Sequence, residues 1–366
     1  MRIAIYCYTN RSSGHLRRLE RIGAELSAHE LAWLGHQPPR ATESFPAPHV
    51  AHKKENESVA EMLDKAHKMK ERAKGLVAQF RSQPFDMLLT EHYPLDSLHL
   101  DMEIGPLVRE VAASRVPIVA SFRDIRGELP WPEREAIRAA GLLEKFWSAV
   151  LWHGDASFLP FDFPKPEQLR IPIFETGYVC RPPPPPTPGQ GKRLLVSVGR
   201  GLVGGTEVIE AALSAFRDLV QEGWQLRIQP GKEAVAQTEA RVQAAGLPNT
   251  RVVGWLPNME DELQHATVSI VTCGYNTFAE VVRSRKPAVF VPYTRATVQE
   301  QRLRAERLAH HPGYRCVLPS EPNFPQRLLR AVQEVLDEEP EPPSISWEGA
   351  AVSAHRIQEL LGKRPK

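Results

Sequence analysis

Three stretches of the chain bring together residue types that do chemistry, and each falls where an apolar run gives way to a polar turn. The first is Ser12-Ser13-Gly14-His15. A glycine beside an imidazole lets a ligand approach the backbone, and His15 is a candidate general base or polar contact. Ser12 or Ser13 serves equally well as a helix cap, with His15 merely in the first turn. The second stretch, residues 198–207, reads VGRGLVGGTE. Gly199, Gly201 and Gly204 have the spacing of a dinucleotide fingerprint, but no acid follows about 20 positions on, where Trp224 and Gln225 stand. That excludes a nicotinamide reading. What survives is a set of backbone N–H groups at a helix start with Arg200 beside them, which suits a phosphate. A plain tight turn is the simpler account.

The third stretch, residues 268–305, is the longest. A strand-like run ends at Cys273-Gly274-Tyr275, Asn276 or Thr277 follows as a cap, and Glu280 comes one turn in. A carboxylate there either answers the helix dipole or accepts two hydrogen bonds from a ribose diol. Glu300, Gln301 and Arg304 then group an acid, an amide and a cation at the start of another helix, a set suited to sugar hydroxyls and phosphate. Glu91-His92, Arg123-Asp124 and His153-Gly154-Asp155 also follow apolar runs, and Glu91 and Asp124 are candidates to face an acceptor and, with His15, to serve as the base that removes its proton. Arg123-Asp124 reads equally as a structural ion pair, and Asp155 as a residue that bonds its own turn. No Asp-x-Asp pair stands near these strand ends, so no metal site and no cofactor is expected. A leaving diphosphate would then rely on helix N-termini and arginines.

These residues need elements to hold them. Apolar runs at 2–8, 85–90, 116–122 and 149–152 predict strands, with helices at 16–29 and 57–82. The pattern restarts with a strand at 193–198, a helix at 205–222, and strands at 225–229, 250–253, 268–272 and 288–291. Continuous apolar strands alternating with helices argue for parallel sheets covered on both faces. The expectation is an α/β protein of two facing, doubly wound Rossmann-like domains with a cleft between them. Residues 181–192, RPPPPPTPGQGK, form the linker: a polyproline rod released by glycines. The domains are then 1–180 on the acceptor side and 193–340 on the nucleotide side. A tail and helix at 341–366 is placed to pack back on the first domain.

Composition sets the outer bounds. A length of 366 residues suits two domains rather than one. Lys and Arg number 46 and Asp and Glu 44, a net charge of +2 that favours neither nucleic acid nor a strongly anionic surface. The four cysteines are far apart with no Cys-x-x-Cys pair, which argues against zinc and against a disulfide framework. No apolar run approaches the roughly 18–20 residues of a transmembrane helix. The N-terminus opens as a strand and not as a signal peptide. A cytoplasmic protein is expected, with peripheral membrane contact left open.

The block 273–305 resembles the donor half of the MurG-like glycosyltransferases, the GT-B enzymes of family 28 type that build the lipid-linked disaccharide of peptidoglycan. The whole chain resembles a group of predicted glycosyltransferases related to them. The motifs that carry the resemblance are GHLRR at 14–18, TEHYP at 90–94, SFRDI at 121–125, WHGD at 152–155, ETGYV at 175–179, CGYNTFAE at 273–280 and EQRLRAERL at 300–308. It implies a nucleotide-sugar donor, uridine-linked, and transfer with inversion to a small-molecule, lipid-linked or peptide acceptor. Trp255-Leu256 matches the segment that holds the uracil and Glu280 the ribose-binding glutamate. Gly274 and Thr277 would lie under the diphosphate with Gly199–Gly201 beside it. Glu300 and Gln301 match donor-sugar contacts, and His15 the histidine near the reacting centre. There are departures: the first loop, NRSSGH, has fewer glycines than the peptidoglycan enzymes, and Arg200 and Arg304 replace a small residue and an asparagine. These put a lipid-linked acceptor in question. A nucleotide-sugar hydrolase or 2-epimerase on the same fold is the alternative.

Overall fold

The computed structural model describes residues 1–8, 14–35, 44–46, 58–127, 129–163, 167, 169–182, 191–199, 205–254, 259–293 and 298–362. The chain divides into two compact units, Met1–Cys180 with Ile345–Lys366, and Arg181–Ser344. Most of the proline run assigned to the linker, 183–190, lies outside the described residues.

Unit 1 runs β1 (Arg2–Cys7), α1 (Gly14–Glu25), β2 (Glu30–Gly35), β3 (Ser44–Pro46), α2 (Val59–Ser82), β4 (Met87–Glu91), α3 (Asp101–Ala113), β5 (Ile118–Arg123), α4 (Glu133–Phe146), β6 (Ala149–His153) and β7 (Ile173–Glu175). Its seven strands are parallel, in the order β3-β2-β1-β4-β5-β6-β7. The strands are apolar on both faces because both faces are covered. Leu88, Ala120 and Val150 pack against Phe80 of α2, Leu107 of α3 and Leu143 of α4. Their neighbours Leu89, Val119 and Leu151 point the other way, to Leu19 and Ile22 of α1 and to Ile357 and Leu361 near the C-terminus.

Unit 2 runs β8 (Arg193–Ser197), α5 (Gly205–Ala215), α6 (Arg217–Gln221), β9 (Gln225–Gln229), α7 (Val235–Ala245), β10 (Thr250–Val252), α8 (Met259–His265), β11 (Val268–Val271), α9 (Tyr275–Ser284), β12 (Ala288–Phe290), α10 (Glu300–Leu308), β13 (Tyr314–Cys316) and α11 (Phe324–Leu336). Its six parallel strands take the order β10-β9-β8-β11-β12-β13. The single helix expected over 205–222 is two, broken at the fully buried Phe216.

The chain returns to unit 1 at Ile345 and ends in α12 (Gly349–Gly362), which packs on α1. The return is pinned by backbone: Tyr178 N–H donates to the Ser346 carbonyl at 2.8 Å, and Gly349 N–H to the Tyr178 carbonyl at 3.2 Å. Gly349 is required there, since a Cβ would stand 2.5 Å from the Gly177 carbonyl oxygen. Among the described residues no helix is long and apolar enough to cross a membrane.

In both sheets the strand order reverses beside the first strand, between β1 and β4 and between β8 and β11. Open α/β sheets bind ligands at that reversal, beyond the carboxyl ends of the strands.

Candidate functional site

In unit 1 the reversal is filled by interlocked side chains. Glu91 ends β4 and Ser121 is its ladder partner on β5; His153 ends β6, opposite Arg123. They extend the period-two series Leu89, Val119 and Leu151, so all three reach the face covered by α1. Helix α1 supplies His15 and, three residues on, Arg18 from the same side. His15 Nδ1 lies 3.1 Å from Glu91 Oε1, and Arg18 Nη2 bonds that same oxygen. Ser121 Oγ reaches Glu91 Oε2 at 2.7 Å. His92 stands at φ +61°, a left-handed angle uncommon for a non-glycine residue. That angle turns its ring edge-on to His15, with the centroids 4.4 Å apart. Its Nδ1 lies 3.3 Å from Asp96.

Burial and charge set the protonation states. Glu91 is 2% exposed. Burial opposes its charge, but the Arg18 guanidinium, with His92 and His15 beside it, holds its carboxyl well below the usual range. Burial pushes His15 down to about 4, reinforced by His92 and opposed by the bond to Glu91. Burial likewise pushes His153 down to about 3. At neutral pH His15 is therefore neutral. A carboxylate only accepts, so His15 Nδ1 carries the proton and Nε2 carries the lone pair. Its side chain keeps 24% exposure, against 1% for Glu91. His15, Glu91 and His92 bring ligand atoms within 4.8 Å of one another, as a metal would require. The cation already among them is Arg18, whose Nη2 is 3.4 Å from His15 Nδ1 and 3.1 Å from His92 Nε2.

Asp124 does not join this group as a base. It is fully buried, and its carboxylate accepts from Tyr178 Oη at 3.2 Å and from the Ile125 N–H at 2.9 Å. Those bonds make it a structural acceptor for the turn after β5. Glu91, too, is an orienting group rather than a base, because Arg18 keeps it ionised and out of solvent. Asp155 bonds its own turn through Ser157 N–H at 3.0 Å and also fixes Ser346 N–H at 2.7 Å. Sequence reasoning missed Arg18, Ser121 and Thr176. The i, i+3 spacing of His15 and Arg18 was the available signal for the first; nothing local marked the other two.

In unit 2 the described residues at the reversal are glycines and a helix start. Gly199 follows β8 at φ +61°, where a side chain would be strained. Gly274 is the N-cap of α9, and among the described residues no side chain caps that helix, whose N-terminus suits an anion. A Cβ at Gly274 would meet nothing within 4 Å. Asn276, in the first turn, has a buried Oδ1 with no partner among the described residues. A buried unsatisfied amide at an uncapped helix start fits a polar ligand. Thr277 shares this turn, half-buried. Glu280 is 7% exposed and lies beyond the first turn of α9, which holds no acidic residue. The dipole account of Glu280 therefore falls away, because that effect fades within one turn.

Helix α10 holds the turn in shape. Gln301 Oε1 accepts from Cys273 N–H at 3.3 Å and from Tyr293 N–H at 3.1 Å, tying the loops after β11 and β12 together. Arg304 donates to the Cys273 carbonyl at 2.8 Å and to Glu300 Oε2 at 2.8 Å. The expectation of Arg304 as a phosphate cation is corrected here: it is fully buried, and its charge is spent on Glu300 and the backbone. Four other expected donor contacts, Arg200, Gly201, Trp255 and Leu256, lie outside the described residues, as do Ser12 and Ser13.

Residues 195–359 match the glycosyltransferase family 28 C-terminal domain. This span runs from β8 into α12 and contains the whole reversal of unit 2. The chain is MurG-like, and its C-terminal half is a family 28 domain. A segment of it is 26% identical over 166 residues to a UDP-N-acetylglucosamine–N-acetylmuramyl-(pentapeptide) pyrophosphoryl-undecaprenol N-acetylglucosamine transferase of Syntrophotalea carbinolica. That match covers 44% of this chain and 45% of the relative, so the MurG-like chain is aligned to less than half of that protein's length. Among solved structures, MurG of Acinetobacter baumannii superposes with a TM-score of 0.59 at 14% identity, covering 100% of both chains. The glycotransferase of kitacinnamycin gives 0.64 at 18% identity, covering 99% of this chain and 94% of that one. These likenesses establish the fold as GT-B type, with two Rossmann-like α/β domains.

Proposed function

We propose that the MurG-like chain is a glycosyltransferase that moves a hexosyl or N-acetylhexosaminyl group from a nucleoside diphosphate sugar, with uridine as its nucleoside, to a hydroxyl acceptor. The observation that carries this reading is His15 Nδ1 held by Glu91 at 3.1 Å, leaving a neutral Nε2 on a partly exposed ring at a sheet reversal. The open start of α9 and the family 28 match support the donor half. The Syntrophotalea carbinolica relative is named as a transferase that uses UDP-N-acetylglucosamine, which supports the choice of donor.

In this mechanism the diphosphate lies against the N–H groups of α9, with Gly199 and Gly274 leaving it room. Glu280 takes the ribose hydroxyls, and Glu300 and Gln301 stand by the sugar. His15 Nε2 accepts the acceptor's proton as its oxygen forms a bond to the anomeric carbon. The bond from that carbon to the diphosphate breaks on the opposite side, so configuration inverts and the nucleoside diphosphate leaves. The helix dipole and N–H groups stabilise the departing charge, and no metal ion is needed. Peripheral contact with a membrane is compatible with a lipid-linked acceptor, and small-molecule and peptide acceptors fit the same chemistry.

The test is thermal stabilisation by UDP, dTDP, GDP and ADP, followed by product analysis with a UDP-sugar. Saturation at about 100 times Kd raises stability by roughly 2.7 kcal/mol. A selective response to UDP is expected, with sugar release dependent on an added acceptor. Silence to every nucleotide would sink the donor assignment, and free sugar formed equally fast without acceptor would mean hydrolysis.

A further inference from the structure

Behind Glu91 lies a line of polar groups that the mechanism above does not use. Ser121 and His153 are 0% exposed and Thr176 2%, in a sheet face otherwise continued by Leu89, Val119 and Leu151. Ser121 Oγ is 2.7 Å from Glu91 Oε2 and 2.9 Å from His153 Nε2; His153 Nδ1 is 2.9 Å from Thr176 Oγ1.

Counting protons gives this line one direction. Glu91 is ionised and only accepts, so the Ser121 hydroxyl proton points to Oε2. Ser121 has no second proton, so its oxygen must accept from His153 Nε2–H. Neutral imidazole carries one proton, so His153 Nδ1 must accept from the Thr176 hydroxyl. Thr176 accordingly turns away from the carbonyls of Trp152 and Gly177, which lie 3.1 and 3.0 Å from its oxygen. The reverse order would leave two lone pairs facing across the 2.7 Å contact between Ser121 and the ionised carboxylate, a costly arrangement at a buried site.

We propose that Ser121, His153 and Thr176 are positioning residues: their one-way chain fixes Glu91 through Oε2, so that Oε1 holds His15 in the Nδ1–H tautomer. This rests on the reading above only in naming Nε2 as the group that takes the acceptor's proton. Arg18 cancels the charge of Glu91 but grips one oxygen, and a carboxylate held at one oxygen can rotate. The second grip comes from Ser121, and Ser121 can give it only because His153 donates to it.

The groups that face His15 are Arg18 on α1 and Glu91 and His92 at the end of β4; those whose charges act on His153 are Arg18, Glu91 and His92. The test is long-range 1H–15N correlation on the full chain labelled at histidine nitrogen, at pH 7, with His15→Gln and His153→Gln spectra to assign the rings. In the wild type His15 is expected as Nδ1–H and His153 as Nε2–H. In Ser121→Ala the Nδ1–H preference of His15 falls about tenfold or more, the scale of one lost hydrogen bond to a charged group, and Ser121→Thr restores it. Thr176→Val removes only the donor to His153 Nδ1, so His153 is expected to stay Nε2–H with a shifted Nδ1 resonance, and this keeps the test alive if Ser121→Ala does not fold. A His15 tautomer unchanged by Ser121→Ala, or His153 found as Nδ1–H in the wild type, would overturn the proposal. Turnover does not enter this test, so a chain that transfers no sugar would overturn the reading of function and leave the tautomer result standing.

Discussion

The two units share the order of their first six strands and a reversal beside the first, yet the described residues at the two reversals differ in kind. In unit 1 the gap beyond β1 and β4 holds interlocked His15, Arg18, Glu91, His92, Ser121 and His153. In unit 2 the gap beyond β8 and β11 holds glycines, an uncapped helix start and an amide oxygen without a partner among the described residues. One topology thus carries two chemistries: a pre-set proton acceptor in one unit and a polar cradle that lacks its own anion in the other. The fold decides where a site sits and side chains decide what it does.

That contrast can be broken at either end. The largest effect is expected from His15→Gln, which removes the partly exposed imidazole of the cluster. Acceptor-dependent turnover should fall by 10²–10⁴-fold while the melting temperature stays close to that of the wild type. A kcat within a few-fold of wild type would remove His15 from the mechanism. Next comes Arg18→Met, which leaves the Glu91 carboxylate buried without its cation. The cost should be about 3–5 kcal/mol, read from urea denaturation; a loss under about 1 kcal/mol would mean that Arg18 is not the counter-ion.

Acid sharpens the same contrast. His15 and His153 have folded pKa values of about 4 and about 3, below the ordinary 6.5. Between those values the unfolded chain binds protons that the folded chain does not, so stability is complete above about pH 6.5 and falls as pH drops toward 4. Glu91, held low, adds to the loss below about pH 4.5. Unit 2 has no buried histidine among its described residues; His311, half-buried, is lowered mainly by burial. Hydrogen exchange by mass spectrometry from pH 7 to 4 should therefore show β4, β5 and β6 loosening before β8 and β11. The opposite order would mean that the buried cluster is not the acid-sensitive part.

The smallest effect belongs to Gly199→Ala. A Cβ there meets only Thr272 Oγ1 at 3.4 Å, so the penalty is the left-handed angle, roughly 1–2 kcal/mol. A neutral or stabilising result would show that the turn relaxes to negative φ and does not need glycine.

The sequence made much of this visible, and the exceptions are instructive. Parallel strands read clearly at β1, β4, β5, β8 and β11, because burial on both faces leaves uninterrupted apolar runs. Strand β2 went unread, although it too is largely buried, because its run ELAWLG is short and follows a helix end closely. Among the candidates, His15, Glu91 and Gly274 do stand at the strand ends and helix starts where their place in the sequence put them, and Glu280 one turn into its helix. Arg304 misled, since a cation beside Glu300 and Gln301 looks the same in sequence whether it faces a ligand or a carbonyl. Asp124 misled for a similar reason: its partner Tyr178 is far along the chain. Ser121 and Thr176 could not be read at all. Their meaning lies in a hydrogen-bond order across three strands, and no local pattern encodes that.

The most direct test of the whole account is calorimetric titration of UDP into the wild type, His15→Gln and Glu280→Gln, all in the full chain. The account expects UDP to bind the wild type and His15→Gln with equal affinity, and Glu280→Gln at least tenfold more weakly, about 1.4 kcal/mol. Equal binding by all three, or none by the wild type, would contradict the division of a proton acceptor in one unit from a nucleotide site in the other.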